Sequence, residues 1–294
     1  MMKIFHFILL IVGVFALSSS AIFVKVIHEP VEVTAFYRMF ISFLIVALFL
    51  FRKNYRIEMR IISKKSKIVM IVSGVILALH YLLWFESLNY TSVASSTVIV
   101  TLQPIFAVII GYYFFKERYN IGAVSGIVIA IIGCILIGYN DLKLSGIALY
   151  GDLLALIAAL IITIYFYMGQ SVRGHTSLIV YSLFSYGSSA FTLLIINLLR
   201  HNNIVSFTSE TWLSFIGLAF FATIMGQSLF NYLIKWINTT VISMSILGEV
   251  VGTIILSSIF LGEGVTLVQF IGICIILSGQ ALYILANNYL KRKM

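Results

Sequence analysis

Charge is what this sequence has least of. Only 10% of its 294 residues are Asp, Glu, Lys or Arg, where a soluble domain carries about 25%, so a water-soluble globular protein is excluded. Proline is almost as scarce: Pro30 and Pro104 are the two present, which leaves long apolar runs free to be helical. Those runs do not alternate polar with apolar residues, which argues against the strands of a membrane barrel. Cysteine is limited to Cys134 and Cys274, each alone within an apolar run. Neither a disulfide framework nor a metal-ligand spacing can be built from them, and both read as buried packing residues. No GxxxxGK stretch occurs, so there is no P-loop with which to hydrolyse a nucleotide. The histidines stand apart at 6, 28, 80, 175 and 201. With no clustered nucleophile and base, paired carboxylates or metal ligands beside them, an intramembrane enzyme is not expected.

What is present is hydrophobic length. Apolar residues make up 61% of the chain, and the mean hydropathy is +1.10. Runs of about 20 apolar residues, the length a helix needs to cross a bilayer, predict spans at 4–24, 33–51, 68–88, 92–115, 121–139, 147–168, 177–199, 212–233, 239–261 and 267–287. The expected fold class is an all-α integral membrane protein of ten transmembrane helices. The opening run, Lys3 followed by apolar residues and then Ser18, Ser19, Ser20 and Ala21, also has the form of a signal peptide. It is kept as the first span because its removal would leave nine.

The net charge of +9 would suit a nucleic-acid partner, but its distribution has another origin. With the N-terminus placed in the cytoplasm, fifteen Lys and Arg fall in inside loops and three, Lys25, Lys143 and Arg200, in outside ones. That imbalance predicts a cell-membrane protein with both termini cytoplasmic. The basic loop from Arg52 to Lys67 suits contact with anionic membrane lipid, and no nucleic acid is expected. No loop is large enough for a soluble partner, and a monomer is compatible with everything in the chain.

The second half echoes the first. SVASSTVIVTLQPIFAVIIGYYFFKER, followed by IGAVSGIVIAIIGCILIG, has a weaker counterpart in NTTVISMSILGEVVGTIILSSIFLGEG, followed by LVQFIGICIILSGQALYIL. A shift of 146 places Glu117 on Glu263, Gly126 on Gly272 and Gly133 on Gly279; upstream, a shift of 147 places His80 on Gln227 and Trp84 on Asn231. Two repeats, 1–140 and 141–294, follow. Five spans per repeat is an odd number, so the second must be inverted relative to the first. Inverted repeats are a hallmark of secondary transporters, with the substrate held near the bilayer midplane. The recurring glycines fit close helix packing.

These blocks resemble the EamA type of the drug/metabolite transporter superfamily. The likeness covers nearly the whole chain and includes Arg38 in FYRMF and the glutamates Glu117 and Glu263. It implies a ten-helix carrier of small metabolites, more often an exporter, that needs no bound cofactor. It also implies a pocket lined from the third helix, as in the aromatic amino acid exporters of the superfamily. One departure is visible: a proline often follows the mid-helix glutamate of the second repeat, and here Val250 follows Glu249. A proline-assisted break of the ninth span is therefore not expected.

Polar groups inside a bilayer are costly and face a bundle interior or a wet cavity. Glu249 lies near the middle of the ninth span and is the candidate proton or cation site. Its counterpart Gln103 precedes Pro104, whose missing N–H frees a carbonyl near Val100 toward the cavity. His80 and Trp84 share a helix face, as do Gln227 and Asn231, with Tyr81 adjacent. Arg38, a few residues below the outer end of the second span, is paired in this reading with Glu86 as an ion pair closing the outer end; snorkelling is the alternative. Ser18, Ser19 and Ser20, and Thr163, Tyr165 and Tyr167, are softer candidates for the cavity wall. Glu117 and Glu263 read as structural caps. The substrate expected is a small molecule, an amino acid or similar amphipathic solute, with a lipid or lipid-linked sugar moved through a side opening as the alternative.

Overall fold

The computed structural model describes residues 4–138, 146–261 and 264–293. Ten helices in it are long and apolar enough to cross a membrane: Phe5–Val26, Val31–Phe51, Lys64–Ser87, Ser95–Phe114, Ile121–Gly138, Gly146–Arg173, Leu178–Leu199, Ser209–Leu233, Thr239–Phe260 and Leu267–Ala286. Each lies within a few residues of its expected limits, and there is no strand among the described residues. Ten being even, the chain begins and ends on one face, the termini face. Cys134 is buried as expected, but Cys274 is exposed on the outside of the bundle. Its apolar neighbours made it look like core, whereas in a bilayer the lipid-facing surface is equally apolar.

Short polar residues set the helix starts. Ser63, Ser92, Ser177, Thr208 and Asn238 each accept the backbone N–H three residues on, satisfying donors that would otherwise be orphaned at a helix end. Between the second and third spans runs a short helix, Lys53–Ile61, with no buried residue. Its Glu58 accepts the Ser177 N–H at 2.6 Å and so ties this connection to the start of the seventh span.

The fifth and tenth spans pack against each other more extensively than any other pair. A Cβ at Gly126 would sit 2.7 Å from the Gly279 carbonyl oxygen, and one at Gly133 would sit 2.8 Å from that of Gly272. Only glycine lets the backbones approach so closely, and the order of the contacts makes the two helices antiparallel. Gly133→Leu should therefore force them apart, costing at least about 1–3 kcal/mol as an overpacked core does. A clear fall in thermal unfolding temperature in detergent would show it; an unchanged one would mean that the contact is looser than the structure has it.

Each half of the chain carries a broken helix. The fourth span is interrupted at Thr101 and Leu102, between Val93–Val100 and Gln103–Phe114, and the ninth at Leu247, between Thr239–Ile246 and Gly248–Leu261. Thr101 and Leu247 are 146 residues apart. The first break has Pro104 beside it. The second forms without a proline, and side chains reach the backbone on either side of it. Gln280 Nε2 donates to the Met244 carbonyl at 3.0 Å in the last turn before the break, and Ser18 Oγ lies 3.2 Å from the Glu249 carbonyl oxygen in the first turn after it.

Candidate functional site

The first, second, third, fourth, sixth, eighth and ninth spans surround one small central cavity. The third contributes His80, Tyr81 and Trp84; the fourth contributes Val100 and Gln103; the eighth gives Gln227 and the ninth Ile246 and Glu249. Arg38 enters from the second span, and Leu17, Ile162 and Phe166 complete an apolar side. The free volume is about 20 Å³, room for about one water molecule.

Arg38 is fully buried. Its Nε donates to Thr223 Oγ1 at 3.0 Å and its Nη1 to Ser20 Oγ at 2.8 Å, while the guanidinium lies over the Tyr81 ring, 4.1 Å from the centroid. That leaves Nη2 with no partner. The Glu249 carboxylate lines the same cavity and acts on Arg38 electrostatically, without closing a salt bridge. Four further polar atoms on residues of this cavity are buried without a hydrogen bond: Tyr81 OH, Trp84 Nε1, Gln103 Oε1 and Gln227 Nε2. His80 is held by Nδ1, 3.0 Å from the Ala158 carbonyl oxygen. Since a carbonyl only accepts, the proton is on Nδ1 and Nε2 keeps a free lone pair. Its ring stacks on Trp84, centroids 6.1 Å apart.

Six expected residues thus meet here: His80, Tyr81, Trp84, Gln103, Gln227 and Glu249. Others do not. Asn231 is buried elsewhere, donating to Tyr165 OH at 2.7 Å and to Tyr186 OH at 3.2 Å, so Asn231 and Tyr165 belong to a separate polar cluster. The reason is register. The turns that follow the third and eighth spans match at a shift of 146: Thr91 N–H to the Ser87 carbonyl, and Ile237 N–H to that of Leu233. Asn231 is therefore one residue, about 100° of helix, away from the Trp84 position.

Three further expectations are corrected. Ser19 faces the membrane in an apolar groove between the first, eighth and ninth spans; its neighbours Ser18 and Ser20 are the inward ones. Pro104 is buried but does not line the cavity, and the freed Val100 carbonyl is covered by Gln103 Nε2 at 3.3 Å rather than left open. Arg38 and Glu86 are not paired. Glu86 stays at the rim, accepting from Asn89 and Tyr90, because the second span turns Arg38 inward to Ser20 and Thr223. Among the described residues, an ion pair there joins Arg200 to the buried Glu32. Thr223 was not foreseen; its signal was the spacing of four residues to Gln227 on one helix face.

The two faces differ. Opposite the termini, a vestibule of about 110 Å³ opens between the first, fourth, fifth, ninth and tenth spans, with Ala21, Thr97 and Thr253 in its wall. On the termini face, the residues 146 positions from Ala21 and Thr253 are Tyr167 and Ala107, and Tyr167 OH donates to the Ala107 carbonyl at 2.8 Å. Beside them Glu117 accepts from Tyr119 OH at 2.7 Å, Thr240 Oγ1 at 2.8 Å and Asn238 Nδ2 at 3.0 Å. Burial, reinforced by the Glu117 carboxylate, raises Tyr119 far above an ordinary tyrosine, so its hydroxyl remains a donor. Glu117 thus fastens the start of the ninth span to the end of the fourth. Its counterpart Glu263 lies outside the described residues.

Known proteins agree with this architecture. The model of the EamA-like transporter family matches twice, at residues 4–139 and 149–285. An uncharacterized transporter, YxxF, of Bacillus subtilis (strain 168) is 24% identical over 222 residues, 75% of this chain and 70% of that protein. A protein of Escherichia coli (strain K12) named "Probable amino-acid metabolite efflux pump" is 26% identical over 206 residues, 66% of this chain and 69% of its own length. One solved crystal structure superposes with a TM-score of 0.78 at 17% identity, covering 96% of this chain and 98% of its own; at that identity it supports the fold alone. Two matches to one family, over nearly the full length, make the chain a multi-pass membrane transporter rather than an enzyme, and it belongs to the EamA-like transporter family.

Proposed function

We propose that this protein is a secondary transporter that exports a small zwitterionic metabolite, an amino acid or a close relative, by alternating access. The observation that carries the reading is the set of unpaired polar atoms around Arg38 and Glu249. Buried polar groups are normally hydrogen-bonded, and five left open around one cavity suit a ligand that completes them. A guanidinium nitrogen and the Trp84 N–H are suited to an anionic group such as a carboxylate. Glu249 is suited to an ammonium, and Phe166, Ile162 and Leu17 to an apolar side chain. The relative named for amino-acid metabolite efflux is consistent with that chemistry.

Alternating access is supported by the matched helix breaks, by the antiparallel pairing of Gly126 with Gly279 and Gly133 with Gly272, and by the contrast between the two faces. In this reading the second repeat is inverted and the halves exchange roles. The Glu117 cluster is the closed gate, and the vestibule is the open side. With the termini in the cytoplasm of a cell-membrane protein, as the loop charges favour, the open side is extracellular. A cavity of about 20 Å³ is too small for an amino acid, so the ligand enters only as the helices part. Proton and substrate ammonium compete for Glu249, which makes proton antiport the coupling favoured. A lipid flippase needs a side opening into its site; here the site residues are buried and the large apolar grooves lie outside them, which favours the soluble substrate.

The test is counterflow in proteoliposomes with pooled labelled amino acids, wild type beside His80→Ala. Uptake is expected in wild type and is strongly reduced in the variant, which loses the ring stacked on Trp84. No uptake by folded wild-type protein from any pool would end the amino acid reading and turn the search to lipids.

A further inference from the structure

The eighth span is one residue longer than the third. Each starts at a capped residue, Ser63 or Thr208, and each ends at the same turn. Lys64–Ser87 contains 24 residues and Ser209–Leu233 contains 25. The extra residue is absorbed where the eighth span becomes a π-helix, Leu218–Gln227. A π turn closes over one more residue than an α turn, is rare, and occurs frequently at functional sites. No proline lies in this segment to impose it.

What the π segment delivers to the interior is Thr223 and Gln227. Thr223 is fully buried and its Oγ1 accepts the Arg38 Nε–H at 3.0 Å, opposite Ser20 on Nη1. Held from both sides, with its central carbon 4.1 Å from the Tyr81 ring centroid, the guanidinium has one nitrogen left, Nη2, and Gln227 borders the same cavity. Removing one residue of register turns an α-helix by about 100°, so a regular eighth span could not present the same hydroxyl at the same height.

We propose that the inserted residue of the eighth span is a positioning device, and that Thr223 is the positioning residue it supplies. Thr223 fixes the orientation of Arg38 so that its free nitrogen meets the anionic group of the substrate. The inference rests on the reading of Arg38 as the ligand for that group.

The experiment compares Thr223→Val, Thr223→Ser, Arg38→Gln and deletion of the membrane-facing Phe221, using whichever labelled amino acid wild type takes up best from the pool. Thr223→Val should raise KM roughly tenfold, the weight of one hydrogen bond to a charged group, with a smaller change in maximal rate. Thr223→Ser should restore KM. The deletion should raise KM as Thr223→Val does, and adding Thr223→Val to it should change nothing more. An unchanged KM in Thr223→Val, beside a large loss in Arg38→Gln, would overturn the positioning role and leave Arg38 as the ligand. No loss in Arg38→Gln would overturn the reading beneath it. The Val and Ser variants decide the proposal even if the deletion does not fold.

Discussion

Counterflow falls by about a hundred- to a thousandfold when Arg38 is replaced by Gln, and the protein loses stability at the same time. Both effects have one source. Leaving a buried charge without its counter-charge costs roughly 3–5 kcal/mol, and each 1.4 kcal/mol is about a factor of ten. In the empty carrier the uncompensated charge is Glu249, which lines the cavity Arg38 enters. In a carrier loaded with the proposed zwitterion it is the anionic group of the substrate, since the ammonium then faces Glu249. The two consequences separate in the double variant Arg38→Gln with Glu249→Gln, which has no unpaired charge left. Thermal unfolding in detergent should recover toward wild type, while counterflow stays lost. Recovery of transport in the double variant would show that Arg38 neutralises Glu249 and does not touch the substrate.

Glu249→Gln alone should remove the pH dependence of transport. A proton and an ammonium group cannot share one carboxylate, so in wild type KM should rise as the medium is acidified from neutral. In the variant KM should be high and level over the same range, because an amide neither titrates nor attracts a cation. The measurement is the initial rate of uptake at several substrate concentrations across a pH series, in vesicles clamped without a gradient. A variant with the wild-type slope would place the titrating group elsewhere.

The number of spans and their limits were legible because a bilayer demands long apolar runs with capped ends. So were most residues of the candidate cavity: polar residues such as His80, Gln103, Gln227 and Glu249 are conspicuous among apolar neighbours, and lipid is the one place they do not go. What the sequence hid was direction around each helix. Ser19 sits between Ser18 and Ser20, yet only the flanking two turn inward. Asn231 was aligned with Trp84 by a register that the turns show to be one residue off. Arg38 was assigned the right character and the wrong partner, because depth along a span can be counted in residues whereas the facing helix cannot. The π segment leaves no mark in composition at all; only the residue count between two caps records it.

The contact between the fifth and tenth spans is unchanged by exchange of the two halves. Exchanging each residue for the one 146 positions away turns the Gly126–Gly279 pair into Gly272–Gly133, which is the other pair of the same contact. A motion that swaps the two halves therefore maps this contact onto itself and leaves it nothing to change. In the proposed alternating-access cycle this contact would be the still axle. A cross-link placed there should be harmless to turnover, where the same cross-link between the fourth and ninth spans would stop it.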